Sequence, residues 1–282
     1  MVERIGVLGA TSFIGEVLLQ HLTSSSINVL ALSRQDKPAS PGIEWIKVSS
    51  ENDPTLNEKV DAWVCLSPII TLHNFFETFE RSGAKRVVAL SSTSLLTKAE
   101  SSDPKDRLLS QQLADSEVRL AAWAKKTNVE WVILRPTMIY GLGRDRNVSR
   151  ISNLISRFGF FPLLGAGKGK RQPVHVEDVA TACMLTAIKS TKVNCSYNIS
   201  GGEILSYREM VGRIFMANNK KPRFIIIPRL LFATALTCVK WLPVFSGVSV
   251  AMAERMSQDM SFDHSAAKDD FGFSPRLFSP DA

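Results

Sequence analysis

The stretch Arg4-Ile5-Gly6-Val7-Leu8-Gly9-Ala10-Thr11-Ser12-Phe13-Ile14-Gly15 decides how the rest of this chain is interpreted. Its first half is an apolar run typical of a buried parallel strand, and apolar residues then recur at helical spacing through Leu22. A glycine-punctuated turn between a strand and a helix leaves the free N–H groups and the dipole of that helix facing an anion. The stretch therefore predicts a dinucleotide-binding turn, with an ordinary strand–helix turn as the alternative.

Each glycine of this turn has its own predicted task. Gly9 permits the sharp turn, and Gly15 lets the helix pack closely on the strand. Ser12 occupies the middle position, where a further glycine would allow the closest backbone approach to a pyrophosphate. The residues predicted to hold the cofactor at this turn are Gly9, Thr11, Ser12, Phe13, Ile14 and Gly15.

Strand-like and helix-like segments alternate through the first half of the chain. The predicted strands after the first are 27–32, 43–48, 60–66, 86–90 and 131–134, with helices over 72–82 and 108–126 and a polar turn over 98–106. This rhythm is typical of βαβ units and predicts an α/β fold with a doubly wound, Rossmann-type parallel sheet. Ligands of such sheets bind beyond the carboxyl ends of the strands. Further cofactor contacts are therefore predicted at Ser33, Arg34, Leu66, Ser67, Pro68, Ser91 and Ser92.

The end of the second predicted strand bears on the type of cofactor. An acidic residue there would bind the ribose 2′-hydroxyl of NAD, whereas an arginine accommodates the 2′-phosphate of NADP. The first candidates are Ser33 and Arg34, and Asp36 comes two residues after the arginine. We therefore expect NADP(H) to be favoured over NAD(H), with a solvated loop arginine as the alternative.

Composition excludes several classes of protein. The net charge is +7, but the basic residues are dispersed without a long run or interleaved aromatic residues, so nucleic acid is not an expected partner. The four cysteines are far apart and form no C-x-x-C pair, which favours a reducing, cytoplasmic compartment and no metal site. The first strand begins almost at Met1, so no signal peptide is expected.

The pattern of alternating strands and helices gives way to charged and glycine-rich loops after residue 141. We predict a dinucleotide-binding domain over 1–140, with a return segment at 174–200, and a smaller substrate-side region over 141–282. Within the latter, 225–245 is the most apolar stretch, but Arg229 and Lys240 leave too few uncharged residues to span a bilayer. A buried helix is the favoured interpretation of this stretch. A helix on a membrane surface is the minor alternative, and a membrane is not an expected partner.

Residues 9–15, 91–93, 135–141 and 171–178 together resemble the extended short-chain dehydrogenase/reductase superfamily of nucleotide-sugar epimerases and dehydratases. The resemblance implies that Thr93 is the active-site hydroxyl residue and that Pro136 and Thr137 cover the nicotinamide. It also implies that Arg171 contacts a substrate diphosphate, since its planar guanidinium binds phosphate in bidentate fashion. His175 in the same stretch is interpreted as a hydrogen-bonded residue at a helix start.

One departure from the family pattern is central. The family uses Tyr-x-x-x-Lys in the long helix, with the tyrosine as general acid/base, and often carries Glu four residues later. Counting back from Glu117 places Leu113 and Leu109 at the lysine and tyrosine positions, and no tyrosine precedes Tyr140. The chain thus resembles the atypical branch of the superfamily. The missing acid would be Tyr140, Lys98 or a water molecule.

Two functions remain open at this point. The first is an NADP(H)-dependent oxidoreductase or epimerase-like enzyme acting on a nucleotide-activated or phosphorylated small molecule. Thr93 and Tyr140 would be its catalytic residues, and Arg171, with Asn147 and Arg144 or Arg146, would bind the substrate. The second is a non-catalytic NADP(H)-sensing or assembly protein. By resemblance, the helix over 108–126 allows a homodimer.

Overall fold

The computed structural model describes residues 3–48, 58–145, 147–189, 192–227 and 255–280. The strands of these parts are β1 Arg4–Leu8, β2 Asn28–Ser33, β3 Ile43–Lys47, β4 Ala62–Cys65, β5 Arg86–Leu90, β6 Glu130–Pro136, β7 Ile139–Tyr140, β8 Phe161–Leu164, β9 Lys170–Arg171, β10 Val174–His175, β11 Cys195–Ile199, β12 Leu205–Ser206 and β13 Phe224–Ile227. Their α-helices are α1 Phe13–Ser24, α2 Phe76–Arg81, α3 Ser94–Thr97, α4 Pro104–Thr127, α5 Val148–Phe158, α6 Val176–Ile188, α7 Tyr207–Ala217 and α8 Ser265–Phe271, with 3₁₀ helices at Ile69–Phe75 and Arg255–Ser257.

A seven-stranded sheet forms the centre of the fold, in the order β3-β2-β1-β4-β5-β6-β11. Every neighbouring pair in it is parallel. The strand order reverses between β1 and β4, so the carboxyl ends of these two strands open the crevice in which doubly wound sheets bind ligands. The predicted Rossmann-type α/β fold is confirmed.

Apolar helix faces cover both sides of this sheet. On one side α1 packs against α6, and the buried cluster there includes Leu18, Val179 and Cys183. On the other side α4 and the first 3₁₀ helix share a cluster with Leu72 and Leu120. The return segment 174–200 thus lies on the central sheet through α6 and β11. The division of the chain at residue 140 stays a prediction.

The long helix begins earlier than predicted. Asp103 caps it, because its carboxylate accepts a hydrogen bond from the Lys105 N–H at 2.9 Å, and Pro104 occupies the first turn. A proline fits there since that position needs no N–H donor. The helix therefore takes up the end of the segment 98–106, which we had expected to form only a turn.

The substrate-side region has its own core. It is built between α5, α7 and the parallel pair β8–β13, with Ile155, Phe161 and Ile214 buried. The start of the apolar stretch is not helical, since residues 225–227 belong to β13; residues 228–245 lie outside the described residues. Within the described parts of the chain, no helix has the length and apolar character needed to cross a membrane.

The segment after residue 257 returns to the carboxyl edge of the sheet. Ser200, which follows β11, donates a hydrogen bond from Oγ to the Phe262 carbonyl at 2.7 Å, and its Oγ lies 2.7 Å from Nδ1 of His264. The His264 ring also meets the edge of Phe273. Burial lowers the pKa of His264 below its ordinary value of 6.5.

This histidine predicts how stability depends on pH. Since the folded state holds the pKa of His264 below 6.5, the unfolded chain binds the proton first as the pH falls. The contribution of His264 is therefore fully present above pH 6.5 and is lost as the pH drops through the folded pKa. We expect the urea midpoint to fall between pH 7.5 and pH 5, and to fall less in His264→Gln. An identical fall in both proteins would contradict this assignment.

Candidate functional site

The turn after β1 adopts a tight, capped geometry. Gly9 has a φ of +81°, which L side chains rarely adopt. The Ser12 N–H donates to the Gly9 carbonyl at 2.9 Å, and Ser12 Oγ accepts a hydrogen bond from the Gly15 N–H at 3.1 Å. Ser12 is thus the N-cap of α1, so the residue at the family's middle glycine position binds the helix end itself.

The two outer glycines are required by close contacts. A Cβ atom on Gly9 would lie 2.8 Å from the Ser67 backbone nitrogen, and a Cβ on Gly15 would lie 2.5 Å from the carbonyl oxygens of Gly9 and Ala10. The turn therefore packs directly against the carboxyl end of β4. Of the other residues predicted here, Thr11 is exposed, Phe13 and Ile14 are half-buried, Leu66 is buried and Pro68 is exposed.

Two hydroxyl groups at this edge have no partner. Ser67 Oγ and Ser91 Oγ, which follow β4 and β5, are buried and make no hydrogen bond in the structure. A buried hydroxyl without a partner is costly, and such groups in a cleft point to a ligand that would satisfy them. Neighbouring Ser92 instead accepts a hydrogen bond from the Ser94 N–H at 3.1 Å. The glycine cradle and the two hydroxyls fit a dinucleotide.

The end of β2 leaves an arginine exposed. Ser33 is buried, and its Oγ accepts from the Gln35 N–H at 3.1 Å and donates to the Gln35 carbonyl at 2.8 Å. Arg34 forms no ion pair with another described residue. Asp36 pairs with Lys47 at 2.6 Å, so the nearby carboxylate is neutralised by another cation.

The helix positions assigned to the catalytic pair are apolar and packed. Leu113 is 7% exposed within the cluster that also contains Leu8, Ile69 and Ile133, and half-buried Leu109 packs against that cluster. A lysine or tyrosine proton donor is absent at both positions. Lys98, the alternative acid, forms a half-buried ion pair with Asp106 at 2.8 Å.

Two threonines beside the crevice direct their hydroxyls at the backbone. Thr93 is buried, and its Oγ1 donates to the Pro136 carbonyl at 3.1 Å. Thr137 Oγ1 donates to the Gln172 carbonyl at 2.5 Å. The structure thus brings Thr93 next to Pro136, but the hydroxyl protons of both threonines are engaged by the protein. The catalytic role of Thr93 stays a prediction.

Tyr140 lies in the core. Its side chain is fully buried, with its ring edge-to-face with His175 and Phe278. Its hydroxyl accepts a hydrogen bond from the Ser279 N–H at 3.2 Å and donates to the Leu277 carbonyl at 3.5 Å. This arrangement fastens the C-terminal segment to β7 and favours a structural role over the catalytic one predicted from the sequence.

Tyr140→Phe separates these two roles. Removing the hydroxyl leaves the Ser279 N–H without its acceptor, so we expect unfolding to become easier by about 1–2 kcal/mol. Binding of NADPH should stay unchanged, because the Tyr140 hydroxyl is hydrogen-bonded to the backbone of the C-terminal segment. Urea unfolding and calorimetric titration measure the two quantities. A variant with wild-type stability would argue against the structural role.

The predicted substrate residues differ in accessibility. Arg171 is only 3% exposed: its Nη1 donates to the Lys170 and Gln258 carbonyls at 2.7 and 2.8 Å, and its guanidinium lies over the Tyr207 ring. Asn147 is exposed at the N-terminus of α5. Contact of either residue with a substrate phosphate stays a prediction, and Arg146 lies outside the described residues.

His175 has the structural role that was predicted for it. It is the N-cap of α6, and its Nδ1 accepts a hydrogen bond from the Glu177 N–H at 3.3 Å. No group of three or more His, Cys, Asp or Glu side chains in the described parts of the chain could hold a metal ion.

One ion pair beside the turn was not foreseen. Both terminal nitrogens of Arg144 bind the carboxylate of Glu16 in the first turns of α1, and the guanidinium lies 5.9 Å from the Phe13 ring centroid. The hydrogen bond from Arg144 lowers the pKa of Glu16. The substrate-side loop is therefore tied to the helix that carries the nucleotide turn, by a residue we had assigned to the substrate.

Comparison with known proteins shows what this chain is similar to. Residues 68–200 match the model of the NAD dependent epimerase/dehydratase family. The chain resembles that family, as its motifs predicted. The structure of MoeE5 in complex with UDP-glucuronic acid and NAD is similar with a TM-score of 0.70 and 21% identity, covering 98% of this chain and 94% of that one. UDP-glucose 4-epimerase from Thermotoga maritima gives a TM-score of 0.69 and 16% identity, covering 96% and 93%.

Relatives found by sequence are longer than this chain. Subunit 9 of the NADH dehydrogenase [ubiquinone] 1 alpha subcomplex, mitochondrial, from Arabidopsis thaliana is 25% identical over 251 residues, which cover 79% of this chain and 60% of the relative. UDP-glucose 4-epimerase from Vibrio cholerae is 25% identical over 162 residues, covering 57% and 47%. The chain thus spans about half of the length of these curated relatives.

Proposed function

We propose that this chain binds a nicotinamide dinucleotide, with NADP(H) preferred over NAD(H), and acts through that binding rather than through turnover. One observation carries the proposal: Leu113 lies in the apolar core with Leu109 packed against it, while the glycine cradle and the hydroxyls of Ser67 and Ser91 remain suited to a ligand. The name of the Arabidopsis relative, a subunit of a larger complex, supports a role in assembly or sensing.

The residues that would hold the cofactor follow from the site. The α1 N-terminus and its turn would face the pyrophosphate, Arg34 the 2′-phosphate, and Ser67 and Ser91 the sugar groups between them. A bound nicotinamide supplies hydride chemistry. The chain's own nearby hydroxyls are poorly placed to move a proton, since Thr93, Thr137 and Tyr140 each donate to a backbone carbonyl.

A second candidate function is an oxidoreductase or epimerase-like enzyme acting on a nucleotide-activated or phosphorylated small molecule. The motif around Arg171 and the match of residues 68–200 to an epimerase/dehydratase model favour it. In that case Thr93 and Tyr140 would serve as catalytic residues and a small molecule would be the partner.

Titration followed by a turnover assay tests the proposal. Thermal shift and calorimetry with NADPH, NADP, NADH and NAD should give binding with preference for the phosphorylated pair. Incubation with NAD(P)(H) and a panel of UDP-sugars should then leave both the nicotinamide absorbance and the sugars unchanged. Turnover that disappears in Thr93→Ala would establish the enzyme instead. Failure of all four dinucleotides to bind would overturn the proposal.

Arg34→Ala tests the cofactor preference. If the guanidinium holds the 2′-phosphate, its loss should weaken NADPH binding by about 1.5–3 kcal/mol, the scale of a hydrogen bond to a charged group. NADH binding should be nearly unchanged. Arg119→Ala, which removes an exposed arginine from α4, is the matched control and should bind both cofactors normally. Equal weakening of NADPH and NADH by Arg34→Ala would show that the arginine does not select the cofactor.

A further inference from the structure

The substrate-side region carries an exposed surface that the nucleotide site does not use. It is formed where α5 ends and β13 begins, and we call it the basic–apolar patch: Arg157, Phe158, Lys221, Arg223, Ile225 and Ile226. The two segments that form it adjoin, because the Phe161 N–H donates to the Arg223 carbonyl at 2.9 Å. On the first segment, the rings of Phe158 and Phe160 lie 6.2 Å apart.

The apolar members of the patch are unusually accessible. Phe158 is 39% exposed, Ile225 50% and Ile226 56%. Successive residues of a strand point to opposite faces, so β13 presents isoleucine side chains on both of its faces. Single exposed apolar residues are common in proteins, whereas a contiguous group of large ones marks an interaction surface.

The charges of the patch have one sign. Arg157, Lys221 and Arg223 are exposed, and in the described ranges none of them forms an ion pair. The Arg157 guanidinium lies 5.3 Å from the Phe158 ring centroid, so cation and aromatic ring are presented together. The surface thus offers apolar side chains flanked by cations that carry no internal counter-charge.

We propose that the basic–apolar patch docks the protein on an anionic lipid bilayer. Phe158, Ile225 and Ile226 would enter the boundary between headgroups and acyl chains, while the three cations lie against lipid phosphates. An acidic protein would also satisfy the cations. A bilayer is favoured because it surrounds the strand and can bury exposed isoleucine side chains that project from both of its faces. This inference is independent of nucleotide binding.

Vesicle co-sedimentation of the full chain tests the proposal. Vesicles of phosphatidylcholine alone are compared with vesicles containing about one third phosphatidylserine. We expect binding to the anionic vesicles only, weakening as salt is raised. Each basic residue near an anionic surface contributes about fivefold, so Arg157→Gln/Lys221→Gln/Arg223→Gln should lower the partition coefficient roughly a hundredfold. Ile225→Ser/Ile226→Ser should also lower it at least ~10-fold.

Matched variants on α4 control for composition. Lys125→Gln/Lys126→Gln removes exposed charges and Val118→Ser removes a side chain that is 69% exposed, both away from the patch. Both controls should bind vesicles as the wild type does, and thermal melts verify that every variant is folded. Three results would overturn the proposal: no binding to anionic vesicles, unchanged binding by both patch variants, or patch-dependent binding of polyglutamate without binding of vesicles.

Discussion

Gly9→Ala should abolish binding of both NADPH and NADH. The new Cβ would lie 2.8 Å from the Ser67 backbone nitrogen and 3.0 Å from the Leu66 carbonyl carbon, so the turn has to move away from β4. The left-handed φ of +81° adds a cost of about 1–2 kcal/mol for any L side chain. Because the same turn presents the α1 N-terminus, we expect both dinucleotides to bind at least ~100-fold more weakly, a loss of about 2.7 kcal/mol.

Gly83→Ala is the matched control for this prediction. Gly83 also has a left-handed φ, +69°, but a Cβ there would meet no atom within 4 Å. The control therefore carries the backbone strain without the steric clash. Gly83 also precedes the amino end of β5, whereas the candidate site lies at the carboxyl ends of the strands. Calorimetric titration should show normal nucleotide affinity for Gly83→Ala. If the two variants lost affinity equally, the effect would be one of stability, and the close approach of Gly9 to β4 would not matter for binding.

The fold was predictable because its signals are local. The apolar run of β1, the turn and the spacing of α1 lie within twenty residues, and each later strand repeats the pattern. Helix boundaries are less predictable where polar composition suggests a turn but a capping residue starts a helix. Asp103 and Pro104 start α4 inside such a polar segment. The apolar stretch at 225 was assigned to a helix, yet residues 225–227 pair with β8, since long-range pairing overrides local preference.

The candidate site was only partly predictable. The sequence predicts that Ser67 and Ser91 lie at strand ends, but that their buried hydroxyls have no partner follows only from the three-dimensional fold. Tyr140 and Arg171 were assigned by motif, and their hydrogen bonds reach Ser279 and Gln258, 139 and 87 residues further along the chain. Such long-range contacts leave no pattern in the residues next to Tyr140 or Arg171. The motif therefore looks the same whether the side chain is buried in a structural role or exposed in a functional one.

The link between Arg144 and Glu16 shows the same limit. The two residues are 128 positions apart and both half-exposed, so neither periodicity nor composition joins them. In contrast, the count from Glu117 back to Leu113 and Leu109 follows the motif of the family that the chain resembles. The structure places both leucines against the core, as two positions four residues apart on one helix face allow. The sequence therefore predicts where the turn, the strand ends and the two leucines lie along the chain, but not the long-range contacts made at the site.

Glu117→Ala should be among the most destabilising single changes on α4. Glu117 is 7% exposed and accepts hydrogen bonds from Arg135 Nε at 3.0 and 3.2 Å through its two oxygens. Removing the carboxylate leaves the Arg135 guanidinium largely buried and uncompensated, which typically costs about 3–5 kcal/mol. Urea unfolding monitored by tryptophan fluorescence gives the change. Since Arg135 precedes Pro136 at the crevice, nucleotide affinity should be measured alongside.

A double variant separates the effect of leaving Arg135 without its partner from the contribution of the intact Glu117–Arg135 ion pair to stability. Glu117→Leu/Arg135→Met replaces both charges with apolar groups of similar size, so it should recover most of the lost stability, because no buried charge is left behind. Glu77→Ala removes one partner of the exposed pair Glu77–Arg81 and should cost less than ~0.5 kcal/mol. Equal costs for Glu117→Ala and Glu77→Ala would show that water reaches Arg135. A double variant as unstable as the single one would show that the bidentate geometry itself holds α4 against β6.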